Sequence, residues 1–287
     1  MVPEVTYRAL SDDALAQQFM PRIAVPDHER WLVEDAELSA RTRQEFSPRC
    51  DLRYGPGPRQ VLDVFPAQAA GAPVLIWFHG GYWRALSKDH YSFIAPPLLS
   101  AGAAVVLVNY DLCPAVDLAT LLSQTRAALR WVRDHAAELG GDPDRLVLAG
   151  NSAGAHICAM ALHHDGPGDR CPAHSLRAAA LITGIYDLAP ILRLPVQAEV
   201  RLRAEDVPGL SPQFLPVRHK APCLVAVGAD EPPLWIDQSR GYHAKLALAG
   251  VDADFMAVPA RHHFSITRDL ADPAAPLTRA IIDLLQA

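Results

Sequence analysis

The sequence has no stretch of about twenty uncharged apolar residues, so a membrane-spanning helix is not expected. Its beginning, MVPEVTYRALSDDALAQQ, is acidic and polar and lacks the basic-then-apolar pattern of a secretory signal. Clusters of Lys and Arg are missing too, and the formal net charge of -6 argues against a nucleic-acid surface. These absences predict a cytoplasmic protein with no membrane or nucleic-acid partner.

Cysteine pairs are also missing. The chain has 5 cysteines, an odd number, and none of them forms a C-x-x-C pair. They are Cys50, Cys113, Cys158, Cys171 and Cys223. This spacing fits neither a disulfide framework nor a zinc ribbon.

The histidines do not form a known metal motif. His163, His164 and Asp165 lie together at a predicted helix end, and His156 lies four residues beyond Ser152. Neither group contains H-E-x-x-H or another complete ligand set. We therefore expect no metal and no cofactor.

The length of 287 residues favours one α/β domain spanning 1–287. An N-terminal segment, residues 1–48, is expected to be helical and to lie near the functional site, with a helix over 27–46 that Asp27 caps. The Pro-rich stretch 190–222 is interpreted as an irregular insertion beside the functional site.

Alternating apolar residues around Gly-Pro-Gly-Pro predict an antiparallel hairpin at the start of a sheet. Apolar runs separated by helical stretches follow, which is typical of a mostly parallel sheet with helices on both faces. The predicted strands are 74–78, 103–110, 145–150, 178–188, 223–228 and 252–259. Helices are predicted over 118–139 and at the C-terminal end.

The turn Gly150-Asn151-Ser152-Ala153-Gly154 joins a predicted strand to a predicted helix. In this context G-x-S-x-G is the nucleophile elbow of the α/β-hydrolase fold, in which glycines relieve crowding around an exposed serine. Ser152 is the predicted nucleophile.

A serine nucleophile needs a histidine base and an acid that orients it, which follow in the order Ser, Asp or Glu, His. Asp230, just after the strand CLVAVG, is the predicted acid, with Glu231 and Asp187 as rivals. His263 is the predicted base, because Phe264 directly after it can hold the ring. The neighbouring His262 is the alternative.

The motif HGGYWR follows the strand VLIWF. Glycine allows backbone N–H groups to approach a ligand closely, and such donors stabilise the oxyanion of acyl transfer. The predicted oxyanion donors are the N–H groups of Gly80, Gly81 and Ala153. His79 is expected to brace the loop through hydrogen bonds.

Two aromatic residues, Tyr82 and Trp83, complete this motif. Both are predicted to stand beside the acyl site, where an aromatic substrate can stack on them. In the alternative interpretation, one of the two only packs under the loop.

The chain resembles the α/β-hydrolase kynurenine formamidases, also called arylformamidases. The resemblance rests on blocks that stand in order across roughly residues 60–270: HGGYWRALSKDHYSFIAPPL, VVLVNYDLCP, LAGNSAGAHICAM, ITGIYDLAPI, VAVGADEPPLWIDQS and HHF. It places the family triad on Ser152, Asp230 and His263. A departure is Asn151, where relatives often carry His.

The resemblance implies hydrolysis of N-formyl-L-kynurenine, a small-molecule substrate, to L-kynurenine and formate without a cofactor. A carboxylesterase for small aryl or short-chain esters is the alternative within the same chemistry. A non-catalytic hydrolase-fold binding protein is the alternative from another class. The sequence leaves open whether the protein is a monomer or a homo-oligomer.

Overall fold

A computed structural model describes residues 7–163 and 175–287 and contains an eight-stranded sheet. The strands are β1 Arg49–Arg53, β2 Val61–Phe65, β3 Ala72–Phe78, β4 Ala104–Val108, β5 Gly141–Asn151, β6 Leu176–Ile182, β7 Cys223–Gly228 and β8 Ala253–Val258. Their order in the sheet is β1-β2-β4-β3-β5-β6-β7-β8. The pairs β1–β2 and β2–β4 are antiparallel and the other pairs are parallel. The predicted α/β fold class is confirmed.

Helices lie on both faces of this sheet. They are α1 Asp12–Phe19, α2 Pro21–Ala24, α3 His28–Phe46, α4 Ala95–Ser100, α5 Leu118–His135, α6 Ala153–His163, α7 Gln197–Val200, α8 Val207–Leu210, α9 Pro233–Leu248 and α10 Pro276–Gln286. Residues of α5, α6 and α9 pack in the core on one face, and those of α4 and α10 pack on the other. In the part of the chain that the structure describes, no helix is long and apolar enough to cross a membrane.

The central strands are apolar throughout because both of their faces are covered. Along β3, Val74, Ile76 and Phe78 belong to one core, and Leu75 and Trp77 belong to the other. Side chains of a strand alternate between the two faces, so a strand covered on both sides needs an apolar residue at every position.

Two predicted elements end earlier than expected. The strand predicted over 178–188 ends at Ile182, because Thr183 has a left-handed φ of 47° and the chain leaves the sheet there. The helix predicted over 118–139 is α-helical only to His135 and continues as a 3-10 helix over Ala136–Leu139.

The N-terminal segment packs on the sheet domain as three helices, α1, α2 and α3. The side chain of Ser11 caps α1 by accepting a hydrogen bond from Ala14 N at 3.2 Å. Asp27 occupies the N-cap position of α3, but its side chain makes no capping hydrogen bond, in contrast to the prediction. The stretch 190–222 contains only short helices, including α7 and α8.

Candidate active site

Ser152 lies between the end of β5 and the start of α6, in a strained turn. Its φ is 56°, in the left-handed region that residues other than glycine rarely adopt. A Cβ atom on Gly154 would lie 1.9 Å from Phe78 O, and one on Gly150 would lie 2.7 Å from the same oxygen. Both glycines are therefore required for β5 and α6 to approach β3 while Ser152 occupies the turn.

His263 and Glu231 form a buried pair. Nδ1 of His263 lies 2.7 Å from Oε2 of Glu231, and their side chains are 8% and 1% exposed. Oε1 of Glu231 accepts a hydrogen bond from Gly228 N at 2.9 Å. The Thr183 hydroxyl lies 2.6 and 2.7 Å from the two carboxylate oxygens and 2.9 Å from His263 Nδ1. These contacts fix the carboxylate against the imidazole.

Asp230 does not occupy the position predicted for the acid. Its side chain is exposed, whereas Glu231 is 6% exposed and reaches His263. The turn after β7 explains the difference, since Gly228 N–H binds the Glu231 carboxylate and directs it inward. Asp187, the other rival, instead accepts a hydrogen bond from Ala189 N. The prediction of Asp230 as the partner of the histidine is wrong.

His262 faces away from the carboxylate. Its Nδ1 accepts hydrogen bonds from Phe264 N at 3.2 Å and Ser265 N at 3.3 Å, and its ring packs edge-on against Trp31. Burial lowers the pKa of His262. These contacts hold the turn after β8, so of the two adjacent histidines His263 is the one placed to act with Glu231.

Ser152 and His263 line one pocket. The loop after β3 contributes Gly81 and Tyr82 to its wall, and Asn151 lies next to the serine. The N-terminal helices supply the remaining wall with Met20, Pro21, Arg22, Leu32 and Asp35. The sequence offered no direct signal for these five residues, because they reach the site only through the packing of the first three helices.

The HGG loop is held from inside the protein. His79 is fully buried, its Nδ1 lies 2.7 Å from Gly80 O, and its ring stacks on Tyr110 with 4.2 Å between centroids. The Tyr110 hydroxyl donates to His79 O at 2.6 Å. Burial lowers the pKa of His79 to about 3, so the ring is neutral near pH 7. These contacts are those of a loop-supporting residue.

Glycine is required at position 81. Its φ is 114°, and a Cβ atom there would lie 2.1 Å from Ala85 O. Burial raises the pKa of the Tyr91 hydroxyl. The side chain of Asn151 and the N–H of Gly80 lower this pKa by a smaller amount. The assignment of Gly80, Gly81 and Ala153 as oxyanion donors stays a prediction.

Tyr82 and Trp83 point in different directions. Tyr82 lines the pocket, and its hydroxyl donates to Phe19 O at 2.6 Å, which ties the loop to the end of α1. Trp83 is fully buried and packs edge-on against His156 with 4.9 Å between centroids. The prediction that Trp83 contacts the substrate is therefore wrong, since it packs under the loop.

The other histidines have structural partners. Nε2 of His156 lies 2.8 Å from Leu210 O, and the two ring nitrogens of His163 lie close to Pro216 O and the Tyr242 hydroxyl. His164 and Asp165 lie outside the described residues. Within residues 7–163 and 175–287, no group of three or more His, Cys, Asp or Glu is arranged to hold a metal ion.

The chain is similar in sequence to known proteins along nearly its whole length. Residues 62–169 match the BD-FAE family model. The kynurenine formamidase of Danio rerio is 33% identical over 293 residues, covering 97% of this chain and 98% of the relative. That of Salmo salar is 31% identical over 296 residues with the same coverage. The chain belongs to the kynurenine formamidase family.

Structural neighbours place this kynurenine formamidase family member among the α/β-hydrolases. A crystal structure of a candidate thioesterase from Silicibacter sp. TM1040 is 27% identical, with a TM-score of 0.82 over 94% of this chain and 97% of that one. An esterase from Pyrobaculum calidifontis has the same fold, with a TM-score of 0.70 at 20% identity over 96% and 95% of the two chains. The protein is a hydrolase, as its sequence predicts.

Proposed function

We propose that the protein hydrolyses an aryl formamide, N-formyl-L-kynurenine, to L-kynurenine and formate. The observation that carries this proposal is the likeness to curated kynurenine formamidases along nearly the whole chain, joined to a pocket that holds Ser152 and His263. We also propose a cytoplasmic location, which the composition favours.

In the first half of the reaction, Oγ of Ser152 attacks the formyl carbon and its proton passes to Nε2 of His263. Glu231 accepts a hydrogen bond from Nδ1–H of His263. This bond holds the ring in the tautomer that leaves Nε2 free, and the carboxylate stabilises the imidazolium that forms. The carbonyl electron pair moves onto oxygen, where the backbone N–H groups of Gly81 and Ala153 stabilise the negative charge.

The tetrahedral intermediate then collapses and its C–N bond breaks. His263 returns the proton to the leaving aniline nitrogen, which releases L-kynurenine and leaves a formyl ester on Ser152. Water attacks this ester with His263 as the base, and formate departs. The sequence of steps uses only substrate, water and side chains of this chain, so it requires no metal or cofactor.

A carboxylesterase activity is the second candidate. It is favoured by a match to Esterase LipQ of Mycobacterium tuberculosis, 31% identical over 244 residues, which covers 77% of this chain but only 58% of that protein. The formamidase relatives match over nearly their full length, so we place the formamide first.

The test compares two substrates with the purified protein. We expect N-formyl-L-kynurenine to be hydrolysed with a kcat/KM at least about 100-fold above that of its N-acetyl analogue, because Gly81 and Tyr82 of the loop after β3 line the pocket with Ser152 and should hinder an acyl group larger than formyl. A short p-nitrophenyl ester serves as the second substrate. Brisk ester hydrolysis without detectable formamide cleavage would favour the carboxylesterase instead.

The control is Ser152→Ala, which we expect to lower turnover by about 10⁴-fold or more, since triad members act as a unit. A serine-directed phosphonate should label Ser152, and mass spectrometry of the labelled peptide would identify the modified residue. Near wild-type turnover by this variant, or a label on another residue, would refute the proposed nucleophile. Failure of the wild type on every ester and formamide would point to a binding protein.

A further inference from the structure

Two arginines lie on the wall of the pocket that contains Ser152. Arg22 belongs to α2, and Arg84 belongs to the loop after β3, so they come from different parts of the chain. The hydrogen bond from the Tyr82 hydroxyl to Phe19 O joins these two parts close to both arginines. Their shared position at the pocket is therefore a product of the packing of α1 and α2 on the loop.

Arg84 is held in place but retains a free donor. Its Nη1 lies 2.7 Å from Oε1 of Glu199, and its side chain is 21% exposed. Its Nε is buried without a hydrogen-bond partner. A buried guanidinium N–H without an acceptor is unfavourable, and because this nitrogen is buried, a ligand in the pocket would meet Arg84 through the part of its side chain that is exposed.

Arg22 makes no ion pair or hydrogen bond with any residue that the structure describes. Partial burial lowers the pKa of its guanidinium, and the positive charge of Arg84 lowers it further, against the opposite effects of Glu29 and Glu199. The two cations are thus close enough to repel each other. An anion placed between them would relieve this repulsion.

The acidic residue of the pocket does not cancel this charge. Asp35 lines the pocket from α3, but it forms an ion pair with Arg268, which also binds Glu34. The carboxylate of Asp35 is therefore already paired, whereas the guanidinium of Arg22 is not. The pocket offers unpaired positive charge within a protein whose formal net charge is -6.

We propose that Arg22 and Arg84 bind the carboxylate group of the substrate and so select an anionic aryl formamide over a neutral or cationic one. This inference rests on the proposed function. It assigns the formyl group of the substrate to Ser152 and its carboxylate to the two arginines. A guanidinium donates through paired N–H groups that match a carboxylate, which gives both affinity and orientation. The formyl group then lies toward Ser152 and the carboxylate toward α2.

The experiment compares N-formyl-L-kynurenine with N-formylkynuramine, which has the same aryl formamide and amine but no carboxylate. The measured quantity is the ratio of their kcat/KM values for the wild type, Arg22→Gln and Arg84→Gln. We expect the wild type to prefer the carboxylate and each variant to lower the ratio by about tenfold or more, mainly through KM, as expected for loss of a hydrogen bond between charged groups. Arg22→Lys should recover part of the preference.

Arg279→Gln is the matched control, because Arg279 is an exposed arginine on α10 and is not among the residues of the pocket. It should keep the wild-type ratio. A wild type without preference, variants with an unchanged ratio, or an equal loss on both substrates would overturn the proposal. An equal loss would mean that the arginines only support the local structure.

A second measurement separates this inference from the proposed function. Hydrolysis of p-nitrophenyl acetate is measured in the presence of L-kynurenine, which carries the aryl amine and the carboxylate of the proposed substrate, and of kynuramine, which lacks the carboxylate. If the wild type cleaves esters but no formamide, the proposed function fails. The carboxylate site is still supported if L-kynurenine inhibits the wild type more strongly than kynuramine does and Arg22→Gln raises its inhibition constant about tenfold, and it is refuted if L-kynurenine inhibits no better than kynuramine or its constant does not change.

Discussion

Nδ1 of His263 lies 2.7 Å from Oε2 of Glu231, and both side chains are almost completely buried. An ionised carboxylate in such a place needs partners, and it has them in Gly228 N–H and the Thr183 hydroxyl. These contacts fix the orientation of the imidazole of His263, a residue that lines the pocket together with Ser152.

Glu231→Gln should lower kcat by about 10⁴-fold, because an amide at this position can hold the wrong tautomer of the imidazole. Asp230→Asn removes the neighbouring, exposed carboxylate and should leave kcat within about twofold, since surface substitutions rarely have larger effects. Steady-state kinetics of both purified variants tests this. A large loss in Asp230→Asn with little change in Glu231→Gln would return the acid role to Asp230.

Thr183→Val should lower kcat by about tenfold with little change in KM. The substitution keeps the shape of the side chain but removes a hydroxyl that contacts both oxygens of Glu231 and accepts from Trp235 Nε1 at 3.0 Å. Thr183→Ser keeps the hydroxyl and should restore most of the activity. A Ser variant as slow as the Val variant would show that the methyl group, and not the hydroxyl, matters.

Trp83→Ala should destabilise the protein by about 3–5 kcal/mol, because it removes a fully buried indole and leaves a cavity. Chemical denaturation gives this value. The folded fraction of Trp83→Ala should keep the preference for aryl formamides over esters. Tyr82→Ala should reduce this preference, because of the two residues only Tyr82 lines the pocket. Loss of preference in Trp83→Ala without loss of stability would place its ring at the substrate.

The free energy of unfolding should fall as the pH is lowered from about 6.5 to 4. Burial lowers the pKa of His79 to about 3 and that of His156 and His163 to about 4. In this window the unfolded chain binds protons that the native protein excludes, which weakens stability by up to about 1.4 kcal/mol per pH unit for each histidine. Asp35 opposes this effect, because burial raises its pKa to about 6.

Urea unfolding at pH 7, 6 and 5 measures this dependence. His156→Gln keeps a donor for Leu210 O but cannot titrate, so its stability should fall less steeply with decreasing pH than that of the wild type. A slope equal to that of the wild type would show that His156 is protonated in the native protein.

The sequence was sufficient for the sheet and for the turn that carries Ser152, because those signals are local. A strand covered on both faces is apolar at every position, and the small residues around Ser152 are required by contacts with β3 close to it. For the same reason, the sequence limited the candidates for the base to the adjacent His262 and His263, because their loop follows a recognisable strand.

The acid residue and the positions of Tyr82 and Trp83 depend on the course of the backbone in the loops, which a local sequence pattern does not describe. Glu231 rather than Asp230 reaches the histidine because its carboxylate accepts hydrogen bonds from Gly228 N–H and from the Thr183 hydroxyl, which come from different parts of the chain. Tyr82 and Trp83 are adjacent and their rings contact each other edge-on, but only Tyr82 lines the pocket, whereas Trp83 is fully buried. Thr183 could have been noticed as the polar residue that directly follows an apolar strand.

Met20 and residues of α2 and α3 form a wall of the pocket that is separate from the sheet. Ser152, Glu231 and His263 stand on turns of the sheet, where small backbone shifts would disturb the reaction, whereas Arg22 and its neighbours stand on helices outside the sheet. Substitutions in those helices can thus change which acyl compounds are accepted while Ser152, Glu231 and His263 keep their positions. We expect that grafting residues 7–46 between relatives would change which substrates are preferred, because this segment supplies Met20, Arg22 and Asp35 to the pocket.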